Sequence, residues 1–146
     1  MILNRPSLRA ALLLPLVAAQ LLSGLAGAAE PPERTKGEIR YMTGGVGQEE
    51  SQALRAAASR FSLAMTFTAE TGQYLSDVQV AIRNRAGDPV FETVSEGPMV
   101  LVNLPAGAYT VAATSEGRTL TKKITLGRNG HRRLVMRWPA DSRSRS

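Results

Sequence analysis

After residue 60, hydrophobic and polar residues alternate along much of the chain with the period of a half-buried β-strand. The alternation is cleanest over Phe61–Phe67 and returns at Val78–Ile82, with Thr71-Gly72 marking a turn between the two runs. Shorter apolar runs follow as far as Trp138, separated by turn residues roughly every 8 to 12 positions. This spacing is typical of an antiparallel β-sandwich, and we predict a mainly β domain of about seven strands.

The segment Met99–Ala113 has the strongest turn signal in the chain. Its two apolar runs flank Leu104-Pro105-Ala106-Gly107, where proline fixes one backbone angle and glycine permits a positive one. The pattern predicts a strand, a tight turn and a second strand. Three further strands are predicted, over Val90–Val94, over the threonine-rich run that contains Leu120, Ile124 and Leu126, and over Arg132–Trp138. A turn over Gly127–Gly130 precedes the last of them.

One short helix is predicted ahead of these strands, over Gln48–Arg60. The segment is rich in alanine, with acids in its first turn and arginines later, as suits the helix dipole. Leu54, Ala58 and Phe61 fall at helical spacing and form one narrow apolar stripe, enough to pack the helix against a sheet. Before the helix, Ile39–Met42 is predicted as a short edge strand.

These elements divide the chain into three parts after residue 29. We predict a lead-in with a glycine-rich turn and the helix over residues 30–60, the β-sandwich over 61–138, and a disordered basic tail over 139–146. The inward-facing positions predict a core of Phe61, Leu63, Met65, Phe67, Val78, Val80, Ile82, Leu101, Leu104, Tyr109, Val111, Ile124, Leu134 and Trp138.

Residues 1–29 have the three parts of a secretory signal peptide. Arg5 and Arg9 supply a positive leader, Ala10–Leu22 is mostly apolar, and Ala26-Gly27-Ala28-Ala29 offers a cleavage site. The apolar run is shorter than the roughly 18 to 20 residues of a membrane-spanning helix. We therefore predict that this segment is removed and that the protein is exported, to the periplasm or the medium.

Composition narrows the class of protein further. The chain has no cysteine, so its domain must fold without disulfides. Of the 18 basic residues, Arg5 and Arg9 would leave with the signal peptide, so 16 remain against 12 acidic residues and the net charge becomes +4. This mild excess aids encounter with anionic envelope surfaces, and nucleic acid is not a predicted partner of an exported protein.

Few side chains in the sequence are suited to catalysis. His131 is the single histidine and is predicted to be a solvated turn residue, so a histidine triad or a multi-histidine metal site lacks its residues. Gly44-Gly45-Val46-Gly47 precedes the helix as a phosphate-binding loop would, but Glu49 and Glu50 follow it and would repel a phosphate. We predict a structural turn there, and no catalytic residue, cofactor or metal.

A basic cluster near the carboxyl terminus is the candidate binding site, and it consists of Arg128, Arg132, Arg133 and Arg137. Arg133 and Arg137 should share one face of the last strand, with Trp138 on the other. Two interpretations stay open. Arginines on an edge strand discourage aggregation between sheets. Alternatively, they contact anionic lipid head groups at roughly 1 kcal/mol each, in a weak and salt-sensitive way.

Three stretches together resemble a known family, namely Gly72–Val80, Gly87–Phe91 and the Leu-Pro-x-Gly-x-Tyr-x-Val pattern of Leu104–Val111. They are similar to the carboxypeptidase regulatory-like domain, a small transthyretin-like β-sandwich, and the wider pattern resembles short exported proteobacterial proteins that contain this domain alone. The resemblance implies the fold and the compartment. In large carboxypeptidases the domain assists folding or contacts, while a zinc peptidase domain does the chemistry. Transthyretin-like hydrolases share the fold, but their several catalytic histidines and terminal Tyr-Arg-Gly-Ser have no counterpart in this sequence.

The predicted function is that of a non-catalytic exported module that binds an envelope protein or a glycan through a sheet edge or a turn surface. Two alternatives stay open. One is a hydrolase of a small substrate that uses acids and arginines in a pocket. The other is a structural protein that maintains the envelope. The sequence does not determine the oligomeric state.

Overall fold

The structure is a computed structural model, and it describes residues 30–140. The predicted signal peptide and residues 141–146 lie outside this range. In chain order the elements are β1 (Arg34–Lys36), β2 (Ile39–Gly44), α1 (Gln48–Ala57), a 3₁₀ turn (Ala58–Arg60), β3 (Leu63–Ala69), β4 (Gln79–Asn84), β5 (Pro89–Val94), β6 (Met99–Val102), β7 (Gly107–Ser115), β8 (Arg118–Leu126) and β9 (Arg132–Trp138).

The strands form two sheets that pack face to face. One sheet has five strands in the order β1-β2-β6-β3-β9, and the other has four in the order β5-β4-β7-β8. Neighbouring strands are antiparallel except β3 and β9, which are parallel because the chain returns from the other sheet before it forms β9. The predicted mainly β sandwich is confirmed, with seven strands inside residues 61–138 and two more ahead of the helix. No helix within residues 30–140 has the length and apolar character that a membrane crossing requires.

Four connections carry the chain from one sheet to the other, namely β3–β4, β5–β6, β6–β7 and β8–β9. Two of them lie where the sequence predicts neighbouring strands joined by a turn. β3 and β4 follow one another in sequence but lie in opposite sheets, and so do β6 and β7 on either side of the Leu104–Gly107 turn. Neither pair is therefore a hairpin. Alternation of side chains shows which face of a strand is buried, whereas it contains no information on which sheet the strand joins.

The lead-in segment takes part in the larger sheet. β2 is predicted as an edge strand, and this is wrong, because β2 pairs with β1 on one side and β6 on the other. β1 forms the edge instead. Its three residues are exposed and polar, so they have no apolar period that sequence analysis could detect.

Two clusters of apolar side chains are buried. The larger cluster lies between the sheets and includes Phe67 and Trp138, whose rings meet edge to face with centroids 6.1 Å apart. The smaller cluster lies on the outer face of the five-stranded sheet, where Leu54 of α1 packs with Phe61 and Leu101. All the predicted core residues are buried, none more than 8% exposed, although Phe61 and Leu101 belong to the smaller cluster.

The Leu104–Gly107 turn is held from both ends. The Tyr109 hydroxyl donates a hydrogen bond to the Pro105 carbonyl at 2.7 Å. The Ser62 hydroxyl accepts a hydrogen bond from the Leu104 N–H at 2.8 Å. The tyrosine and proline of the Leu-Pro-x-Gly-x-Tyr pattern are therefore the two partners of one local hydrogen bond, which fixes the path of the chain between the sheets.

Candidate functional site

β9 divides its side chains between the core and the solvent. Leu134, Met136 and Trp138 point into the sandwich and are at most 7% exposed. Arg133 and Arg137 lie on the opposite face, as predicted, with Val135 between them and 49% exposed. β9 is also the edge strand of its sheet, so this face ends at an open edge.

The other two arginines of the predicted cluster lie at one end of the sandwich. Arg132 begins β9, and its N–H donates to the Ser62 carbonyl at 2.9 Å while its side chain is exposed. Arg128 lies in the β8–β9 turn, which is closed by a hydrogen bond from the Gly130 N–H to the Gly127 carbonyl. The predicted cluster is thus divided between a sheet face and a turn.

Two basic residues of β8 lie alongside β9, and sequence reasoning missed both. The Lys122 amine donates to the Val135 carbonyl at 3.4 Å, and the Arg118 guanidinium donates to the Pro139 carbonyl at 3.1 Å. Their spacing along β8 is the signal that could have revealed them, because Arg118 and Lys122 lie on the same face of the strand as Leu120. A charged side chain on that face must extend past the edge of the core to reach solvent. We use the name β8–β9 side for the surface formed by Arg118, Lys122, Arg133 and Arg137.

Ion pairs within residues 30–140 lie away from the β8–β9 side. Arg34 pairs with Glu96 at 2.7 Å, and the remaining two pairs are Arg40–Glu33 and Arg60–Glu30. The hydrogen bond to the Glu96 carboxylate raises the pKa of Arg34 above its usual value. In this described part of the chain, neither Lys122 nor Arg133 nor Arg137 forms an ion pair.

The glycine-rich loop before α1 binds a carboxylate of its own chain. One oxygen of Glu50, in the first turn of α1, accepts the Gly45 N–H at 2.8 Å and lies 3.5 Å from the Val46 nitrogen. This arrangement resembles a capping box, because an acid in the first turn satisfies N–H groups that precede the helix. The donors that would hold a phosphate are thus engaged by Glu50, as a structural turn requires.

His131 is exposed at its place in the β8–β9 turn, but it is also anchored. Its Nδ1 lies 2.8 Å from the Phe61 carbonyl oxygen, so it is not simply solvated as predicted. Phe61 is 70 positions away in the sequence, and no local pattern indicates the contact. Across residues 30–140, no group of three or more histidine, aspartate or glutamate side chains is placed to hold a metal ion.

The surface also has shallow depressions. One of about 470 Å³ lies on the outer face of the four-stranded sheet, where Ala81 and Ala112 are surrounded by Glu92, Val94 and Thr114. Another, of about 300 Å³, lies near the start of β7 and includes Arg85 and Lys123. A third, of about 310 Å³, lies at the end of the sandwich beside His131.

Comparison with known proteins finds similarity among solved structures. No protein-family model matches the chain, and no curated protein matches it. Among solved structures, 5-hydroxyisourate hydrolase of Klebsiella pneumoniae matches with 17% sequence identity and a TM-score of 0.46, over 56% of this chain and 92% of that one. A similarity at this level does not transfer the activity of that protein.

Proposed function

We propose that this chain is an exported, non-catalytic module that binds an acidic glycan through the β8–β9 side. The proposal takes residues 1–29 as a signal peptide and the sandwich as a relative of the carboxypeptidase regulatory-like domain. The motif of Leu104–Tyr109 supports that relationship, because the resemblance rests on it and its tyrosine closes the turn.

The observation on which the proposal depends is the difference in charge between the two open sides of the sandwich. On the side of β1 and β5, the Arg34 guanidinium is paired with the Glu96 carboxylate at 2.7 Å. On the β8–β9 side, Glu70 accepts the Ala140 N–H, and within residues 30–140 Lys122, Arg133 and Arg137 form no ion pair. Cations that are not neutralised locally attract a polyanion most strongly.

The arrangement of these cations favours a linear polymer. Arg133 and Arg137 are four residues apart on one face of β9, so their Cα atoms lie about 13 Å apart along the strand. The amine of Lys122 reaches the backbone of Val135, which is halfway between them. Charges spaced along one strand match acid groups that repeat along a polysaccharide. A bilayer would be matched better by cations around a broad apolar patch, and Val135 is the exposed apolar residue on this strand.

The test measures binding to polygalacturonate, with neutral dextran as the uncharged polymer. We expect binding to polygalacturonate that weakens as salt is added, and none to dextran. Replacing Arg133 and Arg137 by glutamine should weaken binding about three- to thirtyfold, because each exposed charge contributes roughly 0.3 to 1 kcal/mol to the binding free energy.

A matched double variant has the same net charge as R133Q/R137Q. R83Q/R85Q removes two exposed arginines from the region of the β4–β5 turn and should leave binding close to wild type. Equal weakening in both double variants would mean that only net charge matters and would contradict the proposal. Binding to anionic vesicles without binding to polygalacturonate would contradict it too, and would identify lipid as the partner.

Export is tested separately from binding. We expect the protein isolated from the periplasm or the medium of producing cells to begin at Glu30, as amino-terminal sequencing would show. A chain that retains Met1 and stays in the cytoplasm would contradict the assignment of compartment, whatever the polymer assay shows.

A further inference from the structure

We infer a second binding site in this protein, for a phosphate group, in the pocket at the end of the sandwich. The pocket has a volume of about 310 Å³ and is lined by polar residues that include Arg60, Asn103, Arg128, Asn129 and His131. It is distinct from the β8–β9 side, because Arg133 and Arg137 do not line it.

Hydrogen-bond donors reach the pocket from three separate segments of the chain. Arg60 belongs to the 3₁₀ turn after α1, Asn103 follows β6, and Arg128 and His131 lie in the β8–β9 turn. Guanidinium and side-chain amide groups donate to anionic oxygens. A planar carboxylate is satisfied by one guanidinium fork, whereas a tetrahedral phosphate offers oxygens in several directions. Donors that come from three sides therefore suit a phosphate.

Hydrogen bonds to backbone groups hold the walls of the pocket in place before any ligand arrives. His131 Nδ1 lies 2.8 Å from the Phe61 carbonyl oxygen, and the Arg132 N–H donates to the Ser62 carbonyl at 2.9 Å. Since a carbonyl only accepts, the proton of this bond belongs to Nδ1. In the neutral ring the other nitrogen of His131 then accepts, and it can take the O–H of a hydrogen phosphate, which a carboxylate lacks. The Ser62 hydroxyl, which accepts the Leu104 N–H, ties the third wall to the same point. A site held in this way loses little entropy on binding.

The charge of the pocket is positive. Arg60 pairs with Glu30 at 2.5 Å, so a phosphate would compete with that exposed carboxylate. Arg128 has no ion pair in the described range of residues 30–140, and its charge is available to the ligand. A doubly charged phosphate gains more from Arg128 than a singly charged carboxylate does.

The test is a titration of the protein with inorganic phosphate, followed by NMR, with ionic strength held constant by chloride. We expect saturable shifts of the backbone amides of Asn103 and Gly127–His131. R128Q, which changes an exposed side chain, should weaken phosphate binding about tenfold or more, as the loss of a charged hydrogen bond predicts. Acetate should bind clearly more weakly than phosphate.

Control variants separate this inference from the proposed function. R85Q changes an exposed arginine at another depression of about 300 Å³ and should bind phosphate as wild type does. R133Q/R137Q should lose affinity for polygalacturonate but keep phosphate binding, and R128Q should show the reverse. Phosphatidate vesicles, tested in parallel, show whether the site also takes the phosphate of a lipid head group. Absence of saturation, equal binding of acetate, or unchanged binding in R128Q would overturn the inference.

Discussion

At the scale of single residues, Tyr109 shows how burial changes the chemistry of a side chain. The residue is 8% exposed, and its hydroxyl donates to the Pro105 carbonyl. Burial raises the pKa of Tyr109. In the unfolded chain the Tyr109 phenol ionises near pH 10, whereas in the folded protein it keeps its proton to a higher pH. The stability that the neutral phenol provides is therefore complete below about pH 10 and is lost as the pH rises through the raised pKa.

Replacing Tyr109 by phenylalanine removes both the hydrogen bond and the titrating group. Near neutral pH we expect the free energy of unfolding to fall by about 1 kcal/mol. Near pH 11 the difference between wild type and Y109F should shrink, because ionisation of Tyr109 destabilises only the wild type. Denaturant unfolding at both pH values measures this. Y74F, at a ring that is 55% exposed, is the control and should behave as wild type does. A difference that does not change with pH would contradict the role given to Tyr109.

Gly97 shows the effect of a close backbone approach. A Cβ atom placed on Gly97 would lie 2.3 Å from the Gly44 carbonyl oxygen, and both residues are buried. Gly97→Ala should therefore force the backbones apart and lower the free energy of unfolding by about 1 to 3 kcal/mol. Gly127→Ala is the matched control, since no atom lies within 4 Å of the added carbon, and it should change stability by less than about 0.5 kcal/mol. Thermal unfolding compares the two variants, and equal losses would refute the steric explanation.

At the scale of elements, β7 and β8 form the one long hairpin of the four-stranded sheet. Ser115 pairs with Arg118, so the loop consists of Glu116 and Gly117. Both loop residues have positive φ, 48° at Glu116 and 78° at Gly117, as in a type I′ turn. Glutamate is a poor residue for the left-handed region, and asparagine is a good one.

Glu116→Asn should accordingly stabilise the hairpin. We expect the free energy of unfolding to rise by about 0.5 to 1 kcal/mol, because the strained conformation of Glu116 is relieved. Glu116→Val also removes the charge, but it places a β-branched residue at positive φ and should lower stability. Denaturant unfolding of both variants distinguishes backbone strain from charge. If both were stabilised equally, charge and not strain would be the cause.

The helix and the candidate sites also show how far an element can be predicted. The predicted span Gln48–Arg60 matches α1 together with its 3₁₀ turn, because the alanines and the Leu54 stripe are local signals. The hydrogen bond of the Glu50 carboxylate to Gly45 is local as well. In contrast, the hydrogen bond of Lys122 to Val135 and the approach of His131 to Phe61 join distant segments, so no local pattern indicates that Lys122 lies beside Arg133 and Arg137.

At the scale of the whole molecule, Trp138 links the two sheets. It is the single tryptophan of the chain, and its indole N–H donates to the Arg118 carbonyl of the opposite sheet at 2.9 Å. β2 and β6 connect the two apolar clusters, because Met42 and Leu101 face the helix while Tyr41 and Val100 face the main core.

Because β2 and β6 contribute side chains to both apolar clusters, we predict one cooperative unfolding transition. Tryptophan fluorescence reports the contact between the sheets, and far-UV circular dichroism also reports α1. The two signals should change at the same denaturant concentration, since α1 cannot separate without exposing Met42 and Leu101. Loss of the helical signal before the fluorescence change would show that α1 and its cluster are a separate unit.

The amino-acid sequence by itself determined where most strands lie, which of their side chains face inward, and where the helix begins. These properties depend on neighbours two to four positions apart, through the pleat of a strand or the turn of a helix. Only the tertiary structure decided which sheet each strand joins, that β9 runs parallel to β3, and which cations share a surface. Those outcomes depend on contacts such as Ser62 with Leu104 and His131 with Phe61, which are 42 and 70 positions apart and form only when β3 pairs with β6 and with β9 in the folded sheet.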